Sequence, residues 1–540
     1  MSRSERQPLE PIGVRNVTQP SLFRVAGSGQ NCALQREIAP IMPDDLKRME
    51  PAARLAELHD QMQAIRSAVV AEATAIRAAW PQPEDSRHFT ASAMNLSHYL
   101  ALRRHDLRPL QHELMTFGLS SLGRLEGRVL PALDAVLASL ARLAGRTPTA
   151  YPPSSAFFAG EKLLAARAHE VLGPVSTRGT TLLVTCPSEA ADSPALIRGL
   201  ADAGVEAIRI NCAHDDAEAW GRMIAHARAA ETATERRMIV LMDLAGPKVR
   251  TGETRCPEED SHLRPGAKFA LVRPGGLAHL PAGAPAFAAE CTLPEAIDAV
   301  RPGHRIFIDD AKAGATVLRC EPWGIVAEIS HAKARGVKLR AEKGLSFPDT
   351  DLLVSPLTEK DLQDLAFVAA HADGISYSFV QSPEDVAMLQ GELARLRPTD
   401  WQSLSLVLKI ETSRAVRHLP ATVVQAASCQ PTAIMIARGD LAAEIGFVRT
   451  AEIQEEILWI AEAAQVPVIW ATQVLESLVR KGVKVRGEMT DAAAAARAEC
   501  VMLNKGPYVL EAVAQLDRLL LRMAEHQHKK TPQLRPLMSW

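Results

Sequence analysis

At 540 residues, the chain is long enough for about two to four domains and a large hydrophobic core. Its 61 basic and 63 acidic residues nearly cancel, so charge gives no reason to expect nucleic acid or an anionic membrane as a partner. Hydrophobic residues make up 47% of the sequence and aromatic residues only 4%, which is typical of a soluble helical or α/β protein.

The cysteine pattern and the lack of a long apolar run predict a reduced, cytoplasmic protein. No apolar run reaches transmembrane length, and the polar N-terminus has no signal-peptide core. We expect neither a structural zinc site nor a disulfide framework, because the eight cysteines have no CxxC spacing; they stand at positions 32, 186, 212, 256, 291, 320, 429 and 500.

The first third of the chain is predicted to be a tail followed by helices. Residues 1–40 lack periodicity and are expected to be disordered, with a weak transit peptide as the alternative. Residues 41–173 are predicted to form a helical N-terminal region, with helical stretches at about 43–80 and 89–145 and a short helix at 160–171. Within it lies a basic run that indicates either a solvated face or a small anion site, formed by His98, Arg103, Arg104, His105 and Arg108.

From residue 174 onward, strand-like runs alternate with helical segments. Eight such units predict a (β/α)₈ TIM barrel, an α/β fold, over 174–250 and 344–525. The third unit is interrupted by 251–343, which is rich in Pro and Gly and predicts a small β-barrel-like lid domain inserted after strand 3. Residues 526–540 are predicted to be a C-terminal tail. The predicted barrel strands are 181–186, 206–211, 238–243, 374–379, 405–411, 433–437, 466–471 and 500–503.

Two carboxylates stand where buried strands five and six end. Glu411 follows Leu406–Ile410, and Asp440 follows Ala433–Ala437 after two further residues. Because charge is costly in a core, these residues are better explained as ligands of a hard cation such as Mg²⁺ than as packing residues. A salt-bridge network at the barrel rim is the alternative.

Several segments, taken in order, resemble the pyruvate kinase family over about 176–524, and the resemblance implies that family's fold and chemistry. The matching segments are Ala207-Ile-Arg-Ile-Asn-Cys-Ala-His214, Asp243-Leu-Ala-Gly-Pro-Lys-Val-Arg-Thr-Gly252, Ile308-Asp-Asp310, Glu342-Lys-Gly344, Thr358-Glu-Lys-Asp361, Leu408-Lys-Ile-Glu411, Met435-Ile-Ala-Arg-Gly-Asp-Leu441 and Ala471-Thr-Gln473.

The resemblance implies a role for each matching residue. Glu411 and Asp440 would bind Mg²⁺ or Mn²⁺, and Lys409 would stabilise the phosphoryl group and the enolate. Substrate binding would involve Gly439, Asp440, Thr472 and Lys409, and the catalytic set would be Lys409, Arg209, Arg250 and Thr472. Nucleotide binding would involve Arg209, His214, Lys343 and Asp309. Each position also has a structural alternative, such as a rim salt bridge for Arg209 or a helix cap for Thr472.

The sequence departs from the family pattern at the monovalent-cation site. Asn211 and Asp243 remain, but Ala213 and Leu244 replace the family's serine and threonine, and Lys248 replaces a glutamate of potassium-dependent members. A fixed ammonium would supply the missing charge, so we predict activity that does not require K⁺. The alternative is that Lys248 only pairs with a surface carboxylate.

Two further departures concern the end of the chain. The loop Asn504-Lys505-Gly506 is shorter than the family's proton-delivery loop, and no counterpart of the C-terminal allosteric domain is recognised. The predicted function is transfer of phosphate from phosphoenolpyruvate to ADP, giving pyruvate and ATP, without nucleic acid or membrane partners. The alternatives are a related reaction on another phosphoenol or 2-oxo acid, or a regulatory ligand-binding protein. A homo-oligomer formed through the barrel or the N-terminal helices is compatible with the sequence.

Overall fold

The fold is described from a computed structural model covering residues 50–83, 88–174, 177–309, 311–352 and 354–532. The predicted tail 1–40, the first nine residues of the predicted helical region (41–49), Asp310 and the last eight residues lie outside this part of the chain. None of the described helices is both long and apolar enough to cross a membrane.

The N-terminal part of the described chain is helical. Its second predicted stretch is divided into three helices, because Pro109 begins a new helix next to Arg108 and Gly118, at a φ of 77°, ends it. Arg66 binds Asp134 and so ties the first helix to the fourth. The helices are Pro51–Ala78, Thr90–Leu102, Arg108–Thr116, Val129–Leu143, Ser154–Phe157 and Ala159–Leu172, with 3₁₀ turns at Ser121–Arg124 and Glu126–Arg128.

Eight parallel strands close into a barrel in chain order, which confirms the predicted (β/α)₈ fold. Alternate side chains fill the interior with Leu183, Leu241, Val407, Met435 and Ile469. The strands are Thr181–Thr185, Ala207–Asn211, Ile239–Asp243, Gly374–Tyr377, Ser405–Ile410, Thr432–Ala437, Val468–Ala471 and Cys500–Leu503.

Helices follow the barrel strands and cover the outside of the barrel. Thr358 and Ser382 each begin a helix with a capping box, accepting a hydrogen bond from the amide three residues on. The helices are Pro194–Asp202, Ala217–Thr234, Glu359–His371, Pro383–Leu396, Ser413–Cys429, Arg438–Ile445, Phe447–Ala464, Glu476–Lys481, Arg486–Ala495 and Val509–Ala524.

A β domain with its own hydrophobic core is inserted after the third barrel strand. Arg250 and Gly344 form a β-bridge where the insert leaves and rejoins the barrel. Its strands are Thr251–Arg255, His262–Leu263, Lys268–Val272, Phe287–Cys291, Arg305–Ile308, Ala313–Glu321, Gly324–Ala332, Val337–Lys338 and Leu345–Ser346, with one helix at Pro294–Ala299.

The N-terminal helices pack directly against the barrel, and the two share one continuous core. Asn95 Nδ2 donates hydrogen bonds to the carbonyls of Glu126 and Ala463, at 2.7 and 2.8 Å. Arg167 Nη1 donates to the carbonyls of Ala464 and Gln465. The outer helix Phe447–Ala464, which follows strand six, is therefore anchored to the N-terminal region at its C-terminal end. The range 526–540 was predicted to be a tail, but its described part forms a small hairpin of Gln527–His528 and Thr531–Pro532.

Candidate active site

Lys409 lies at the centre of a buried charged cluster at the C-terminal end of the barrel. Its Nζ is 3.0 Å from Glu411 Oε1 and 3.3 Å from Asp243 Oδ2, and it donates to Ser378 Oγ at 2.7 Å. Burial would lower the pKa of Lys409, but the carboxylates of Glu411 and Asp243 outweigh it and hold the pKa above its usual value. The ammonium is therefore charged, and three acceptors surround its three N–H groups.

Ser378 fixes the direction of the Lys409 side chain. Its hydroxyl donates to the carbonyl of Leu244 at 2.6 Å, so its remaining lone pair faces the ammonium. Ser378 was not among the predicted site residues, because a lone serine after a strand carries no motif. It comes next to Lys409 only because strands four and five are paired in register, with Tyr377 opposite Leu408.

Arg209, at the end of strand two, contributes a second buried cation. Its Nη2 is 2.7 Å from Asp243 Oδ2, and its Nη1 donates to Thr185 Oγ1 at 3.2 Å. Burial would raise the pKa of Asp243, but Arg209 and Lys409 hold it below its usual value. Among the described residues, the buried Nε of Arg209 has no hydrogen-bond partner, so one donor of the guanidinium is left for an oxyanion.

The candidate metal ligands Glu411 and Asp440 form the acidic side of the site. Burial raises the pKa of Glu411; the Lys409 ammonium lowers it in part, and the Asp440 carboxylate raises it further. Glu411 Oε2 accepts from the Phe379 amide at 2.6 Å, which orients the carboxylate. Two hard oxygen donors that repel each other fit a Mg²⁺ ion whose other ligands come from substrate or water. No cluster of three or more acidic, His or Cys ligands occurs in the part of the chain described.

Lys248 lies beside this carboxylate pair. Its Nζ is 2.7 Å from Asp440 Oδ1, and the two side chains are about one-third exposed. Asp440 is the one carboxylate within ion-pair distance of Lys248 among the described residues. The ammonium therefore lies at a candidate metal ligand. Asn211, one of the residues kept at the position of the family's monovalent-cation site, accepts a hydrogen bond from the Ala213 amide at 3.1 Å.

Gly439 and Thr472 meet between strands six and seven. The Gly439 amide donates to Thr472 Oγ1 at 3.0 Å, so Thr472 acts as a cap for the short helix Arg438–Ile445. Arg438, which also was not among the predicted site residues, orients this corner. It donates to the carbonyls of Ala471 and Thr472, pairs with Asp491, and lies over the Trp470 ring. Thr472 has a φ of 65°, a backbone conformation that this network holds in place.

The residues predicted to contact nucleotide on the insert pair with one another. Lys343 Nζ is 2.8 Å from Asp309 Oδ1, and Lys312 Nζ is 2.9 Å from Asp309 Oδ2. Burial would raise the pKa of Asp309, but both ammonium groups hold it below its usual value. Arg250 Nη1 donates to the Glu342 carbonyl at 3.4 Å. Arg250 and Lys343 are thus positioned at the base of the insert, beside the barrel mouth.

His214 and the loop after the last strand complete the rim. Burial lowers the pKa of His214, and the positive charge of Lys505 lowers it further. Asn504 Nδ2 donates to Glu476 Oε2 at 2.9 Å, which holds the shortened loop against the barrel. A Cβ at Gly506 would lie 2.5 Å from the Val479 carbonyl, so this tight path requires glycine.

A cleft extends from the carboxylate pair toward the base of the insert, lined by Lys248, Phe379, Glu411, Arg414, Asp440 and Glu444. Burial raises the pKa of Glu444 to about 7, with the negative charge of Asp440 contributing. Lys248 and Arg414 bring positive charge to the same cleft. The site therefore combines paired carboxylates, a buried lysine and arginine, and an opening toward the insert.

Comparison with known proteins points to one family. Residues 177–513 match the family model described as "Pyruvate kinase, barrel domain". The pyruvate kinase of Methylorubrum extorquens is 34% identical over 63% of this chain and 67% of that protein. Those of Clostridium acetobutylicum and Mycobacterium tuberculosis are 27% and 29% identical, over 63% and 66% of this chain and 69% and 72% of the respective relatives.

Proposed function

Because the chain belongs to the pyruvate kinase family, we propose that it transfers a phosphoryl group from phosphoenolpyruvate to ADP, giving pyruvate and ATP. The observation that carries this proposal is the buried cluster of Lys409, Arg209, Asp243 and Glu411, in which the Arg209 Nε–H lacks a partner among the described residues. Such a cluster suits an oxyanion whose charge moves during reaction.

Lys409 and Arg209 are the cations that stabilise the transferring group. Arg209 binds phosphoryl oxygens through its free donor, while Asp243 keeps the guanidinium oriented. Lys409 stabilises the charge that develops between the phosphoryl group and the enolate oxygen, and Ser378 keeps its ammonium pointing to that place. All three N–H groups of Lys409 face acceptors in the free protein, so a substrate oxygen replaces one of them.

Glu411 and Asp440 would hold Mg²⁺, or Mn²⁺, which suits the same oxygen ligands. When bound, the ion supplies positive charge to the enolate and carboxylate oxygens of the substrate. The Phe379 amide orients Glu411 for this task. Gly439 and Thr472, already in contact, form the cradle for the substrate carboxylate.

The nucleotide is proposed to bind between the barrel rim and the insert. Arg250 and Lys343 provide positive charge at the base of the insert, and His214 is proposed to contact the nucleotide from the barrel rim. Asp309, paired with Lys343 and Lys312, fixes the insert's side of this opening. The insert thereby acts as a lid that excludes water from the transferring group.

Activity is proposed to be independent of K⁺. Lys248 places a fixed ammonium 2.7 Å from Asp440, so the site already holds a monovalent positive charge beside the metal ligands. Turnover measured with K⁺ and with Na⁺ at constant ionic strength tests this. Equal rates support the proposal, and a strong K⁺ requirement contradicts it.

The reaction is tested by a coupled assay for pyruvate formed from phosphoenolpyruvate and ADP. The wild-type protein is expected to turn over, and Lys409→Met is expected to lose at least about 10³-fold in rate, since one buried stabilising cation is removed. Lys333→Met, which changes an exposed lysine in the insert, is the matched control and should retain full activity. Activity in none of the proteins, or equal activity in Lys409→Met, contradicts the proposal.

A further inference from the structure

A cavity separate from the barrel mouth lies where the N-terminal helices meet the outer barrel helix Phe447–Ala464. We call it the junction cavity; it measures about 540 Å³, and its characteristic residues are Tyr99, Arg103, Arg104, Arg108, Trp459 and Lys530. The first four belong to the N-terminal region, Trp459 to the barrel helix, and Lys530 to the C-terminal hairpin. This volume is within the range of small-molecule sites.

Arg103 is held in a fixed position in this cavity. Its Nη1 donates to the Tyr99 hydroxyl at 2.6 Å, and its guanidinium lies 5.5 Å from the Tyr99 ring and 4.9 Å from the Trp459 ring. Tyr99 is almost completely buried, so it anchors the arginine rigidly. A guanidinium oriented by two rings has already lost much of its side-chain freedom, which reduces the entropy cost of binding an anion.

Asp106 and Glu126 line the cavity, and Glu126 Oε2 has no hydrogen-bond partner among the described residues. Burial raises the pKa of the neighbouring Glu462 to about 7. Glu126 pairs with Lys530, and Asp106 pairs with Arg108 at 2.7 Å. Glu72 faces Arg104 at 3.4 Å and His105 at 3.2 Å. Within the described residues, no carboxylate lies within 4 Å of Arg103, so its charge is the one left without an ion-pair partner.

Two cations also share one indole ring. Lys530 Nζ lies 5.3 Å from the Trp459 ring centroid, on the ring that Arg103 also contacts. Because both cations use this ring, a planar base has little free aromatic surface to stack on. Glu126 already pairs with Lys530, whereas a compact anion beside Arg103 can accept the remaining N–H groups of the arginine fork.

We propose that the junction cavity binds a small phosphorylated metabolite through Arg103, the lining cation that has no ion-pair partner among the described residues. The chemical class is a phosphomonoester or diphosphate, whose tetrahedral oxygens accept two parallel bonds from a guanidinium. The ligand contacts the N-terminal region and the barrel helix at once. It therefore stabilises the attachment of the N-terminal helices to the barrel helix Phe447–Ala464. This helix follows strand six, the strand that also leads to Asp440.

Binding is tested by calorimetry on the full chain without divalent metal, using inorganic phosphate, pyrophosphate and a nucleoside monophosphate as probes. At least one probe is expected to bind, and Arg103→Met is expected to weaken that event about tenfold or more, because methionine keeps contact with the rings and removes the charge. Arg319→Met, which changes an exposed arginine paired with Glu321 in the insert, is the matched control and should bind as the wild type does.

Two further measurements separate this site from the active site. Arg250→Met should keep the Arg103-sensitive binding, and ligand should change the tryptophan emission of the wild type but not that of Trp459→Phe. If Arg103→Met unfolds, Arg103→Gln, which keeps a donor for the Tyr99 hydroxyl and removes the charge, should show the same weakening with a folded protein. The proposal is overturned if all probes bind Arg103→Met or Arg103→Gln as tightly as the wild type. It is also overturned if Arg319→Met loses equally, or if no probe binds the wild type.

Discussion

Replacing Lys409 with methionine is predicted to destabilise the fold as well as to stop catalysis. Lys409 is 7% exposed, and its ammonium faces Glu411 and Asp243, which are also buried. The wild-type cluster contains two cations and two carboxylates and is nearly neutral. Removing the Lys409 ammonium leaves three charged groups in this cluster, the two buried carboxylates and the Arg209 guanidinium.

The magnitude follows from the cost of leaving a charge buried and unpaired. Breaking a buried pair typically costs about 3–5 kcal/mol, and we expect about 3 kcal/mol because Arg209 still neutralises Asp243. Glu411 carries most of the penalty. Adding Glu411→Gln to Lys409→Met should therefore restore about 2 kcal/mol, a coupling expected only for groups in contact.

The effect should also depend on pH. Burial raises the pKa of Glu411 in the wild type, and the loss of Lys409 raises it further. A group with a raised pKa in the folded state keeps its stability at low pH and loses it as pH rises through that pKa. The cost of Lys409→Met should thus be small near pH 5 and large near pH 8.

Urea unfolding followed by tryptophan fluorescence and far-UV circular dichroism measures these differences, with Lys333→Met as the exposed control. A loss of less than about 1 kcal/mol in the unfolding free energy of Lys409→Met at pH 8, relative to wild type, would contradict this prediction. The absence of any recovery from Glu411→Gln in the double variant would also contradict it.

Three other predictions follow from individual contacts. Ser378→Ala should lower kcat about tenfold with little change in KM, because Lys409 loses the acceptor 2.7 Å from its Nζ. A change confined to KM, with Ser378→Thr no better than Ser378→Ala, would contradict the role of Ser378 in positioning Lys409. Lys248→Glu should make turnover depend on K⁺, since the substitution removes the ammonium beside Asp440. If this variant turns over at the same rate in K⁺ and in Na⁺, the prediction is wrong. Burial raises the pKa of Glu462 to about 7, so the wild type loses stability as pH rises through that value. Glu462→Gln should therefore stabilise the fold by up to about 3 kcal/mol at pH 8 and change it little at pH 4. Equal urea-unfolding midpoints of wild type and Glu462→Gln at both pH values would contradict this prediction.

The barrel could be predicted from sequence because its signals are local. Each strand is a short apolar run followed by a helical segment, as in Ser405–Ile410 and Ser413–Cys429, and eight repeats allow little else. The helical N-terminal region was less predictable in detail. Its breaks depend on Pro109 and Gly118, and its packing against Phe447–Ala464 depends on Asn95 and Arg167, which have no pattern of their own.

The site was predictable only where motifs carry it. Lys409, Glu411 and Asp440 stand at strand ends, a place where charge requires explanation. Their partners come from other elements and are set by tertiary register. Ser378 contacts Lys409, and Lys248 contacts Asp440 across 192 positions of sequence, and neither contact leaves a trace in the local sequence.

The central claim is that this barrel transfers phosphate from phosphoenolpyruvate to ADP. Phosphorus NMR of one mixture containing the protein, Mg²⁺ and both substrates follows the reaction directly. We predict that the phosphoenolpyruvate signal falls while the β-phosphate signal of ATP grows in equal amount, and that neither changes with Lys409→Met. A phosphoenolpyruvate signal that stays constant with the folded wild-type protein, or that gives only inorganic phosphate, would contradict the proposed function.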